Sequence, residues 1–85
     1  MNQNEAIKLA TSLSHLKGKN AQTKDGKNKF VISYAGHRRI NETDSDVLIY
    51  FDKQEILSKG LFEETENHLL LNYDDFINNF ILIQN

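Results

Sequence analysis

Apolar positions in this chain come in short clusters whose spacing switches between helical and alternating. Leu9, Leu13 and Leu16 recur at i, i+4 and i+7, behind Asn2 and Glu5 in the N-x-x-E relation that satisfies free N-terminal amides. This predicts a helix from about residue 3 to 17. Lys17 suits the negative end of its dipole, Gly18 suits a left-handed stop, and Lys8, Ser12 and His15 share the wet face. The next twelve residues, GKNAQTKDGKNK, hold one apolar side chain. They read as a flexible basic loop over 18–29, or a loosely held hairpin in which residues 20–24 run back from a two-residue type I′ turn at Asp25-Gly26.

FVISY follows as a strand, with Phe30, Ile32 and Tyr34 on one face and Val31 and Ser33 on the other. Ala35-Gly36 is expected to break it, and residues 37–40 to resume it as a second short, exposed strand. VLIYF, residues 47–51, is too short for a helix and rich in β-branched and aromatic types, which predicts the central strand. Asp52 and Glu55 repeat the capping arrangement and predict a helix of about two turns that points Ile56 and Leu57 inward and closes at Gly60. Leu61-Phe62 and His68–Leu71 read as strands joined through the polar residues 63–67. Asn72 caps a last helix whose stripe is Tyr73, Phe76, Ile77, Phe80 and Ile81. Phe80–Ile83 is apolar all round, so the end of that helix is either covered by the sheet or left as a seam for a homodimer. The sum is one α+β domain over residues 1–85: an antiparallel sheet of four to five strands, N-terminal and C-terminal helices, and one short middle helix.

Size and composition narrow the setting. Eighty-five residues without cysteine must be held by packing or by a partner, because neither disulfides nor thiolate metal ligands are available. The opening residues lack the positive start and unbroken apolar run of an export signal, and no stretch approaches the ~20 apolar residues of a membrane span. A cytoplasmic protein with no membrane partner is expected.

Charge is uneven along the chain although the net value is −2. Residues 1–39 carry eight Lys and Arg against Glu5 and Asp25, which leaves +6, and residues 40–85 carry ten acids against Lys53 and Lys59, which leaves −8. Either the halves neutralise each other on packing, or one pole is a binding face, since clustered charge steers association with an opposite partner.

The residues that carry catalysis in other proteins do not combine here. His15, His37 and His68 lack metal-ligand spacing. A calcium loop begun at Asp44 fails at Leu48 and Ile49, and the stretch from Ala21 to Asn28 lacks the first glycine and the hydroxyl of a phosphate loop. The neighbouring pairs Asp74 with Asp75 and Glu63 with Glu64 diverge rather than converge on a substrate, and no serine sits in a nucleophile turn. No catalytic residue, metal or cofactor is therefore expected, and the protein is read as non-enzymatic.

Two binding readings stay open. Glu42, Asp44, Asp46, Asp52, Glu63, Glu64, Glu66, Asp74 and Asp75 form a spaced array of carboxylates that imitates a phosphate track. That suits an inhibitor or regulator, of the type phages and mobile elements carry, docking on a basic nucleic-acid-handling protein. The alternative is a small nucleic-acid-binding protein in which Lys17, Lys19, Lys24, Lys27, Lys29, Arg38 and Arg39 follow a backbone and Tyr34 stacks on a base.

Overall fold

The computed structural model of the chain describes residues 1–55 and 60–83. Its elements run α1 (Gln3–Ser12), a 3-10 turn (Ser14–Leu16), β1 (Asn20–Thr23), β2 (Lys29–Arg39), β3 (Ser45–Asp52), β4 (Glu63–Glu64), β5 (His68–Asn72), α2 (Tyr73–Asn79) and β6 (Phe80–Ile83). The strands form one antiparallel six-stranded sheet in the order β4-β5-β3-β2-β1-β6. This is an α+β domain with more strands than the four to five the sequence predicts. Of the helix predicted over 52–60, residues 56–59 lie outside the described residues, while Asp52 ends β3 and residues 53–55 are not helical.

Both capped starts form as expected. Glu5 N–H donates to Asn2 Oδ1 at 2.9 Å, and Asp75 N–H donates to Asn72 Oδ1 at 2.8 Å. The ends differ. α1 stops at Ser12 and tightens into the 3-10 turn, and Gly18, at φ +80°, turns the chain into the sheet by donating to Ile32 O. α2 stops at Asn79, and Phe80, at φ −128° and ψ 157°, leads straight into a strand. Helical spacing of Phe80 and Ile81 is overridden because the β-branched run pairs with β1, with Asn20 opposite Ile83 and Thr23 opposite Phe80.

Residues 20–23 are a strand held on both sides, by β2 and by β6, so the hairpin reading of the basic segment is the one that forms. Its turn is not type I′, since Asp25 keeps a negative φ and only Gly26, at +77°, is left-handed. Asp25 closes it instead, accepting from Thr23 Oγ1 at 2.6 Å and Lys27 N–H at 2.9 Å. Those bonds to the carboxylate, the Thr23 hydroxyl first, hold Asp25 below its ordinary pKa.

β2 runs unbroken through Ala35-Gly36, contrary to the predicted break. Its irregularity is a bulge at Ser33: Ile32 pairs with Phe51 and Tyr34 with Tyr50, so two residues advance on β2 for one on β3. The strand predicted at Leu61-Phe62 forms two residues later, where Glu63 and Glu64 pair with Leu70 and Leu69. Phe62 is drawn into the core instead, its ring centre 5.2 Å from Phe30 and 5.8 Å from Phe51.

Both helices pack on one face of the sheet. Phe30 and Ile32 of β2, Val47, Ile49 and Phe51 of β3, and Leu69 and Leu71 of β5 point at them and are buried. Ala6 and Ala10 let α1 approach Val47 closely, and Leu16, Phe76 and Phe80 complete a cluster around Phe51. Among the described residues no helix covers the opposite face.

Candidate functional site: the open face of the sheet

The bulge at Ser33 creates this face. Without it, alternation would put Tyr34 beside Ile32 under the helices, as the sequence predicts. The extra residue reverses the phase, so Ala35 turns toward the core and Tyr34, Gly36 and Arg38 turn away from it. They stand beside Tyr50, Leu48 and Asp46 of β3 in the same register, and beyond these lie His68, Leu70 and Asn72 of β5 and Glu63 of β4.

Tyr34 and Tyr50 are stacked with ring centres 4.2 Å apart and an interplanar angle of 13°. His68 meets both edge-on, at 5.6 and 5.7 Å. Gly36 makes room for them: a Cβ there would lie 3.3 Å from Cε1 of Tyr50. Tyr34 is 41% exposed and presents its outer surface to solvent, while desolvation, aided by the neighbouring Tyr34, pushes the Tyr50 hydroxyl above its ordinary pKa.

Arg38 reaches from β2 to Glu63 on β4, its Nη1 donating to Oε1 at 3.1 Å and Oε2 at 2.9 Å. That spans three inter-strand steps, about 14 Å, and lays the arginine stem over β3 and β5. Leu48 and Leu70 are 1% and 4% exposed yet belong to neither helix-side cluster. Tyr34, Tyr50 and the Arg38–Glu63 strap share that face with them, and amphipathic stems of this kind cover apolar surface. With both partners about half exposed, the ion pair itself is worth at most about 1 kcal/mol.

The proposed acids are distributed between regions. Asp46, Asp52 and Glu63 share the open face, and Ser33 Oγ donates to Asp52 Oδ1. Glu42 and Asp44 lie in the exposed loop between β2 and β3, which Arg39 holds by donating to Asn41 O and Glu42 O at 3.0 and 3.2 Å. Asp74 and Asp75 open α2 on the other side of the sheet. Glu64, paired with Lys53 at 3.0 Å, and Glu66 sit at the β4–β5 turn.

The basic residues are separated too. Lys24, Lys27 and Lys29 lie at the start of β2 and its preceding turn, and Arg38 and Arg39 at its far end, about 30 Å along the strand. Lys17 and Lys19 flank Gly18 beside Ile32. Tyr34 and Arg38 share the open face, four residues apart on β2, and Arg38 is engaged by Glu63. On the open face Asp46, Asp52 and Glu63 stand against Arg38 and Lys29, an acidic excess of one.

Tyr50 and His68 are the residues sequence reasoning missed. Tyr50 sits inside VLIYF, which reads as continuous core, and only strand pairing shows that it shares a face with Tyr34. Among the described residues no cluster of His, Asp or Glu could hold a metal, and no helix is long and apolar enough to cross a membrane. Comparison with known proteins finds no matching family model, curated protein or solved structure.

Proposed function

We propose that the protein is a non-enzymatic, cytoplasmic protein-binding module that docks a basic partner on the open face of its sheet, as an inhibitor or regulator of a nucleic-acid-handling protein would. The observation that carries this reading is the stacked pair Tyr34–Tyr50, half-exposed at the centre of a face where Asp46, Asp52 and Glu63 exceed Arg38 and Lys29 by one charge. Tyrosine concentrates binding energy at interface centres, and a lysine or arginine laid on the outer ring of Tyr34 gains a cation–π contact of about 0.5–2 kcal/mol. The carboxylates supply the complementary field. Glu42 and Asp44 at one end and Glu66 at the other extend the acidic rim, while Glu64 is turned to the helix side and paired with Lys53. Self-association through residues 80–83 is compatible with this role, since β6 lies two strands away from Tyr34.

Nucleic-acid binding is the second reading, favoured by the placing of Tyr34, Arg38 and Lys29 on one face of the sheet. A single titration separates the two. Amide shifts are followed by NMR at low salt against an arginine-rich peptide and, separately, against a single-stranded oligonucleotide. The proposal expects the peptide to move Tyr34, Tyr50, His68 and Asp46, and Tyr34→Ala to weaken it at least tenfold. Oligonucleotide binding with a salt slope that falls by about two units in the Arg38→Ala, Arg39→Ala variant, and no peptide response, would transfer the function to nucleic acid.

A further inference from the structure

The two edges of the sheet are unlike. β4 is two residues long, both acids, each paired with a cation, Glu63 with Arg38 and Glu64 with Lys53. Short, charged edges resist pairing with another sheet. β6 has none of these protections. It is Phe-Ile-Leu-Ile, contains no lysine, proline or bulge, and among the described residues pairs only with β1. Ile81 is 45% and Leu82 43% exposed, on opposite faces.

We propose that β6 pairs with β6 of a second copy of the chain, antiparallel and about a two-fold axis normal to the sheet, joining two sheets into one of twelve strands. Such an axis keeps the helices of both copies on the same side, so directly opposed residues must point to the same face. Phe80 is already 4% exposed and gains nothing, which selects the register centred on Leu82: Leu82 faces its symmetry mate on the helix side, and Ile81 faces the partner's Ile83 on the open side. The helix-side contact falls beside a groove of about 590 Å³ lined by His15, Leu16, Gly18, Asn20, Leu82 and Ile83 among others, which gives room for the partner's Leu82. On the open side Val31, 39% exposed, lies next to Ile83 across Asn20 and extends the apolar strip on each copy.

The strand's own lack of charge suits an identical strand. From Phe76 to Asn85 the chain carries no charged side chain, so two copies of β6 meet without repulsion between their own side chains, with Lys19 at the margin of the groove, whereas a charged strand would bring its charges against Ile81 and Ile83. β6 offers four residues against the roughly 20–30 residues a side of a standard interface, so the dimer is expected to be concentration-dependent.

Sedimentation equilibrium tests this on the intact chain. The average mass is expected to rise from 9.8 kDa toward twice that value between micromolar and millimolar protein, and Ile81→Lys to weaken association at least tenfold. Because the chain has no cysteine, a single introduced thiol reports the register cleanly. Leu82→Cys should form a disulfide dimer under mild oxidation, since opposed strand residues lie about 4.5–5.5 Å apart at Cα, within disulfide reach. Ile40→Cys, at an exposed position in another part of the fold, should cross-link no faster than random collision. This pair of readings stands even if Ile81→Lys fails to fold. A monomer throughout, Leu82→Cys cross-linking no better than Ile40→Cys, or β6 amides protected from exchange only when a foreign strand is added would each overturn the proposal.

Discussion

The two faces of the sheet bury leucine and phenylalanine by different means. On the helix side Phe51 sits among Phe30, Phe62, Phe76 and Phe80, with ring centres 5.4 to 6.0 Å away, fixed by elements that cannot move independently. On the open side Leu48 and Leu70 are covered by single side chains, the tyrosines and the Arg38–Glu63 strap. The first arrangement makes stability. The second leaves a chemically varied surface, which recognition requires, and it teaches that low exposure alone does not distinguish core from site.

The largest effect should come from shifting the phase of β2 against β3, which mixes the two faces. Deleting Ala35, just beyond the bulge, advances the rest of β2 by one position, turns Gly36 and Arg38 toward the core and His37 away from it, and is expected to abolish cooperative unfolding by circular dichroism. A sharp thermal transition with retained near-ultraviolet tyrosine signal would show that the phase change is dispensable. Next in size are the two large-to-small changes. Phe51→Ala should cost about 3–5 kcal/mol, whereas Leu48→Ala should cost about 2–3 kcal/mol, near the low end for a buried leucine, because flexible cover collapses into the space more readily than packed rings. Urea denaturation of both variants measures the difference, and equal losses would mean that the open face is packed as firmly as the helix side.

The smallest effect is on pH dependence. Tyr50 is held above its ordinary value of 10.0 by desolvation, so at alkaline pH the unfolded chain loses this proton before the folded one does. Its contribution is complete below pH 10 and declines as pH rises through and beyond that value toward the folded pKa. Tyr50→Phe should flatten the alkaline limb of the stability curve, as read by thermal melts between pH 8 and 11. An unchanged limb would place the Tyr50 hydroxyl in solvent rather than under the strap.

Both capped helix starts, the central strand and the α+β class were legible in the sequence, because Asn2, Asn72 and the VLIYF run act locally. What was not legible depends on pairing between distant segments. Phe80 and Ile81 fit a helical stripe as well as a strand, and only the vacancy beside β1 decides between them. Leu61-Phe62 has the composition of a strand, yet the core takes Phe62 and leaves the pairing to Glu63 and Glu64. The candidate site was the least legible part. Tyr34 and Arg38 were singled out, but their joining with Tyr50 and His68 rests on one bulged residue, and Ser33 has nothing in its local sequence that marks it. The separation of charge along the chain likewise does not survive into space, since Arg38 of the basic half is tied to Glu63 of the acidic half.

β6 completes a sheet begun by β1, with Ile83 opposite Asn20, 63 positions earlier. Chains are synthesised from the N-terminus at about 5–20 residues per second, so β1 waits several seconds with one side unfilled until its partner emerges. Pairings this distant in sequence also make folding slow once the chain is free. During biosynthesis the nascent β1–β2 hairpin is therefore the stage at which this protein is most exposed to chaperones and to mispairing with its neighbours on a polysome.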